Sequence, residues 1–163
     1  MTLRSWVLIP LSLVPAVMAG CSAPRGDEDA VASLAAALQG KDDLRGFLTG
    51  VAQEIRTHDW EGLLRRASPP HYESQVTDLG MGHPQYLAEL LGLHTVGNSI
   101  KRGETVTWSD LKRLDRVRFL ELDDGFGVII IRGEALLADG STLKLELWIG
   151  FLGGEHVLTG GVG

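Results

Sequence analysis

The sequence predicts an α+β fold, with N-terminal helices packed on a curved antiparallel meander of four or more strands. Apolar residues recur at helical spacing as far as about residue 91, and from Leu114 onward the period changes to two. Glycine-bearing links separate the later runs, as hairpin turns require. The 163 residues are 44% hydrophobic, enough for one domain with a core. A net charge of -6 argues against a nucleic-acid partner. A single cysteine excludes an internal disulfide framework and multi-cysteine metal sites.

Met1 to Arg4 make a short basic start, and Trp6 to Ala19 form an apolar run broken by Pro10 and Pro15. The run is shorter than the roughly 20 residues a spanning helix needs, so residues 1–20 are expected to be a secretory signal. Cys21 follows the small pair Ala19-Gly20 directly. Val17-Met18-Ala19-Gly20-Cys21 resembles the lipobox of bacterial lipoproteins, with Met18 where leucine is usual. The resemblance implies that Cys21 is acylated, with palmitate as a usual chain, and becomes the mature N-terminus. Ser22, in place of aspartate, implies the outer membrane, facing the periplasm. The alternative is ordinary signal cleavage beside a chance cysteine.

Residues 21–29 read as a polar tether and 30–163 as one α+β domain. Ala30–Gln39 carries Val31, Leu34, Ala35 and Leu38 at helical spacing, as a weakly docked helix or a stalk. Leu44, Phe47, Leu48, Val51 and Ile55 define a stronger helix capped by Asp42 or Asp43. Gly46 and Gly50 within it call for a close approach by another element. Asp59 starts a short helix bearing Trp60, Leu63, Leu64 and Ala67; further short helices are expected over His71–Leu79 and Gln85–Leu91.

The strand runs are Leu114–Leu122, Phe126–Leu137, Ser141–Leu152 and Glu155–Gly160. A three-residue loop at Ala138-Asp139-Gly140 sets Glu134 opposite Lys144 and Arg132 opposite Glu146. It also puts Ala135, Gly133, Ile131 and Ile129 opposite Leu143, Leu145, Leu147 and Ile149. A two-residue loop would push Arg132 and Glu134 among leucines. The same loop type at Asp123-Asp124-Gly125 pairs Phe119 with Ile129 and Val117 with Ile131. The outer face then carries Leu120, Val128, Ile130 and Trp148, rimmed by charged side chains. Those four are the candidates for an interface with a second copy or another protein.

The helix order and meander, with Ile55-Arg56-Thr57-His58-Asp59-Trp60-Glu61-Gly62-Leu63-Leu64 at the first helix break, resemble the nuclear transport factor two-like superfamily over about residues 42–160. That group includes ketosteroid isomerases, SnoaL-type cyclases and binding domains. The resemblance implies a cone between helices and sheet that takes a small apolar ligand. The candidates to line it are Trp60, Tyr72, Tyr86, Trp108, Asp115 and His156. Asp115, expected on the core face beside Gly133, and His156, opposite Phe151, are the candidate acid–base groups. Each also has a plainer role: Trp60 and Trp108 as staples, Tyr72 and Tyr86 as lids with wet hydroxyls, Asp115 and His156 at frayed edges.

No nucleophile elbow, zinc helix, phosphate loop or dinucleotide fingerprint is present in the sequence, and the five histidines show no metal-ligand spacing. No cofactor or metal is expected. The reading is a membrane-anchored lipoprotein presenting a non-catalytic binding domain, with an isomerase, cyclase or dehydratase as the alternative.

Overall fold

The structure is a computed structural model and describes residues 26–125 and 127–160. The signal expected over residues 1–20, Cys21 and most of the tether lie outside them. Among the described residues, no helix is long and apolar enough to cross a membrane.

The order is α1 (Gly26–Val31), α2 (Asp42–Thr57), α3 (Trp60–Arg65), α4 (Pro69–Tyr72), α5 (His83–Leu90), a small hairpin β1 (His94–Thr95) and β2 (Asn98–Ser99), α6 (Trp108–Leu111), then strands β3 (Leu114–Asp123), β4 (Ile129–Leu137), β5 (Thr142–Leu152) and β6 (Glu155–Leu158). The four long-range strands form one antiparallel meander, β3-β4-β5-β6. The fold is thus α+β, as expected.

The first helix differs from expectation. It begins at Gly26 and passes into a 3-10 turn at Ala32–Leu34, so residues 26–29 are helical rather than tether. Asp27, Glu28 and Asp29 favour its positive end, and Asp27 accepts two hydrogen bonds of 2.8 Å from the Arg56 guanidinium. Its alanine-rich face buries only Ala30, Val31, Leu34 and Leu38, which join the main core beside α2 and β3. The helix therefore belongs to the core and does not cover the outer sheet face. Helix α2 buries Leu44, Phe47, Leu48, Val51, Ala52 and Ile55 on one stripe. A Cβ on Gly50 would meet the Arg66 guanidinium, which is paired with Glu54 at 2.7 Å, whereas Gly46 faces open space.

Helix α3 is capped by Asp59, whose side chain accepts from the Gly62 N–H at 2.9 Å. The helix expected at His71–Leu79 is α4 continued as a π-helical turn over Glu73–Asp78. Residues β1, β2 and α6 had no counterpart in the sequence reading. Thr107 and Asp110 close a capping box on α6. Burial pushes the Asp110 carboxyl up, but hydrogen bonds from Thr107 and Arg102 and the Arg113 charge outweigh it and hold it below the ordinary range.

Between β4 and β5 the register is the expected one, from Ile129↔Ile149 through Arg132↔Glu146 and Glu134↔Lys144 to Leu136↔Thr142. Gly140 sits at φ 82°, and its N–H donates to the Leu137 carbonyl at 2.9 Å, closing the three-residue loop. Between β3 and β4 the expectation fails. Val117 pairs with Ala135 and Phe119 with Gly133, not with Ile131 and Ile129. The reason is the connection, which is longer than three residues and turns through Gly127 at φ 78°; the bulge at Leu120 then returns Phe119 and Val117 to the inner face, and a second bulge follows at Asp115.

The far edge of the sheet is sealed. The Asn98 carboxamide takes the Lys144 N–H at 2.7 Å and donates to the Lys144 carbonyl at 2.9 Å. The Leu91 carbonyl accepts from the Glu146 N–H at 3.2 Å, and residues 66–68 pair with Leu158 on β6. Gly92, at φ 68°, makes room for this approach, with a Cβ there falling 3.2 Å from Glu146 backbone.

Candidate functional site

The inner face of the sheet and the helices close on a single apolar cluster. Val117, Phe119, Ile131, Ala135, Leu145, Leu147 and Ile149 interlock with Leu48, Val51, Ile55, Leu63, Leu87 and Leu90. Where the resemblance placed a cone, packed side chains stand.

The six residues expected to line that cone are dispersed. Trp60 is buried on α3, its ring stacked on His58 at 5.3 Å. His58 ends α2 at φ 56°, held there by a 2.7 Å contact between its Nε2 and the Leu114 carbonyl. Trp108 is 41% exposed, so it does not staple helix to sheet; its place one residue past the Thr107 cap turns it outward. Trp60 and Trp108 share a shallow hollow of about 500 Å³ with His58, Asp59, Glu61 and Lys112.

Tyr72 and Tyr86 do meet, edge to face at 5.6 Å. Tyr86 is fully buried and its hydroxyl lies 2.9 Å from His71 Nδ1, so it is not a wet lid. Tyr72, half-buried, hydrogen-bonds His83 Nε2 at 2.8 Å. Burial first, then Tyr72 and Glu89, push the Tyr86 phenol well above its ordinary value. Burial also lowers His71, against a smaller opposing effect of Glu89. A protonated phenol facing a neutral imidazole is a satisfied buried pair, fixing α4 to α5. The sequence reading missed it because the partners come from separate elements with no motif linking them.

Asp115 is the extra residue of the first bulge, which turns its carboxylate out to pair with Arg116 at 2.9 Å; it is not on the core face beside Gly133. His156 is where the register put it, opposite Phe151, with their rings at 5.3 Å and Phe47 at 5.8 Å. It borders two adjoining hollows of about 560 and 550 Å³ at the start of α2, which share Asp42 and Asp43. Asp115 and His156 belong to opposite edge strands and form no common site. Among the described residues, no cluster of His, Cys, Asp or Glu is arranged to hold a metal ion.

The outer sheet face carries its charges in regular rows. Arg118, Glu134 and Lys144 lie in one row across three strands, and Glu121, Arg132 and Glu146 in the next. Arg116, Leu136 and Thr142 flank the first row; Asp123, Ile130 and Trp148 flank the second. Lateral ion pairs run within it: Arg132 to Glu146 at 3.2 Å, Arg118 to Glu134 at 3.7 Å, and Arg132 to Asp123 at 3.9 Å. The Trp148 indole N–H donates to Glu146 at 2.8 Å.

This arrangement corrects the expected patch. Ile130 and Trp148 are a half-exposed cross-strand pair, but Leu120 is the extra residue of the second bulge and Val128 precedes β4 in the connection. Charges fill the two central rows, with Leu120 between them, and Leu136, Ile130 and Trp148 lie in the flanking rows, because the longer connection moved β3 along β4. Leu120 borders a shallow hollow of about 300 Å³ with Glu121, Arg132, Lys144 and Glu146. No family model, curated protein or solved structure matches the chain.

Proposed function

We propose that the chain is a lipoprotein anchored through Cys21 at the outer membrane, and that it presents a non-catalytic, nuclear transport factor two-like domain to the periplasm. The outer face of the meander is its binding surface. One observation carries the reading: the interior is filled by Tyr86, Phe119 and the leucines of α2, α3 and α5, while the outer rows of charge stay exposed. A catalytic cone needs a dry pocket with a base aimed into it, and Asp115 and His156 meet neither condition together. The anchor rests on the Val17–Cys21 segment and the apolar run before it.

The experiment is metabolic labelling with palmitate in cells expressing the full chain and its Cys21→Ala variant. Label and membrane sedimentation are expected for the parent and abolished in the variant. A parent chain that takes no label and stays soluble overturns the anchor.

A further inference from the structure

We infer that the end of the domain carrying Trp108 rests on the bilayer to which the chain is anchored, with the Trp108 ring at the level of the phospholipid headgroups. This inference rests on acylation at Cys21.

The contacts of α2 define two ends. At its C-terminus Arg56 holds Asp27 of α1 at 2.8 Å, and His58 meets the Leu114 carbonyl at the start of β3. At its N-terminus Lys41 reaches Asp124, just past β3, at 3.0 Å, and Phe47 lies beside His156 of the β5–β6 hairpin. The 16 residues of α2 separate these ends by about 24 Å. The chain enters at the first of them, since Gly26 opens α1 next to Asp27. From Cys21 to Gly26 the chain can reach at most about 18 Å. An acylated Cys21 sits where acyl chains meet headgroups, so this end is held close to the bilayer. Phe151, near the hairpin tip, belongs to the far end.

What the anchored end exposes suits a headgroup layer. Helix α6 lies there, its Trp108 and Lys112 sharing a hollow with His58 and Trp60. Trp148 gives its indole N–H to Glu146, whereas among the described residues nothing takes that of Trp108. An exposed amphipathic ring with a free donor is what membrane interfaces collect. Charge agrees. Residues 101–116 carry Lys101, Arg102, Lys112, Arg113 and Arg116 against Glu104, Asp110 and Asp115, a net of +2 in a chain of -6. Asp110 is buried in its capping box and Asp115 is paired with Arg116, so the exposed charge of this segment is mostly cationic. Asp59 and Glu61 also border the hollow, the first capping α3 and the second 4.0 Å from Arg65. The acidic first turn of α1 is repelled by anionic lipid, which favours a tilt onto α6.

The test uses the full acylated chain reconstituted into phospholipid vesicles, with tryptophan emission read against lipids brominated along the acyl chain. Quenching is expected in the parent, and Trp108→Phe should remove most of it while circular dichroism stays unchanged. Lys112→Glu should weaken the quenching in vesicles containing phosphatidylglycerol, and do so less in purely zwitterionic ones. Phe151→Trp in the Trp108→Phe background places a reporter at the far end, which should stay unquenched. Equal quenching of the parent and Trp108→Phe, or quenching at position 151, overturns the orientation. If Trp108 is shielded from aqueous iodide but not quenched by lipid, a second copy covers it, which overturns the bilayer as its occupant. Palmitate labelling separates the two failures. A labelled, sedimenting chain whose Trp108 escapes brominated lipid loses this orientation and keeps its anchor. An unlabelled, soluble chain loses both.

Discussion

Between β4 and β5, eight residue pairs run without a break from Ile129↔Ile149 to Leu136↔Thr142, whereas β3 slips twice against the other side of the same β4. The apolar positions of β5 step by two through Leu143, Leu145, Leu147 and Ile149. Those of β3 step by three from Leu114 to Val117, by two to Phe119, and by three again to Leu122. A step of three leaves two successive side chains facing outward, and Asp115-Arg116 and Leu120-Glu121 are those pairs, all exposed. Register follows the inward-facing residues. A strand whose apolar spacing is irregular keeps its core contacts by sacrificing ladder continuity.

The strongest test of this contrast is deletion. Removing Glu146 from β5 shifts either Leu143 and Leu145 or Leu147 and Ile149 to the outer face, at an expected cost of about 3–6 kcal/mol. Removing Leu120 from β3 leaves Phe119 in, Glu121 out and Leu122 in, so a stability change within about 1 kcal/mol is expected. Urea unfolding of the two variants checks both values. Equal damage would show that the bulge shapes the sheet and does not merely absorb a residue.

Next in size is Gly133→Ala. Gly133 faces Leu145 on the regular side and Phe119 on the bulged side. A Cβ there would run into the Arg118 carbonyl oxygen, and a backbone atom cannot swing aside. A loss of about 2–3 kcal/mol is expected from overpacking, read from the thermal midpoint. The restoring change is relaxed β3 pairing. Alanine at 133 combined with the Leu120 deletion should therefore cost less than the sum of the two.

The smallest effects separate the two connections. Asp139, in the β4–β5 loop, is held below the ordinary carboxylate range first by the Ser141 hydroxyl and N–H of its own turn. Asp124, in the β3–β4 connection, is held low first by a 3.0 Å hydrogen bond and charge contact with Lys41, far away in sequence. Both contributions to stability are present above the unfolded carboxylate value of 3.8 and are lost as pH falls through the lowered folded values. Carboxyl titrations by NMR at low and high salt should move Asp124 toward its ordinary value and leave Asp139 largely in place, since salt screens exposed ion pairs. If both move alike, the local turn is not what holds Asp139.

These contrasts also mark what could be read from residues alone. The α2 stripe, the Asp59 cap, the Gly140 turn and the β4–β5 pairing all follow from local spacing and turn chemistry. The bulges left a trace in the three-residue steps of β3, which strict alternation overlooked. The Tyr86–His71 pair, the outward Trp108 and the Asn98 seal left none, because each depends on which element folds over which. The outer rows stood between these cases: the Glu134–Lys144 and Arg132–Glu146 pairs were legible, but their third members, Arg118 and Glu121, waited on the length of the β3–β4 connection and the Leu120 bulge.

The Asn98 carboxamide has a consequence for how the chain is made. Synthesis proceeds from the N-terminus, and N-terminal elements gain structure first. Leu91 and Asn98 precede β5 by about fifty residues and lie in the segment just after α5. When β5 emerges, the groups that accept its Glu146 N–H and engage the N–H and carbonyl of Lys144 already exist. A newly formed strand edge is the part of a nascent sheet most exposed to pairing with a stray neighbour. Here the cover is synthesised before the edge that it covers.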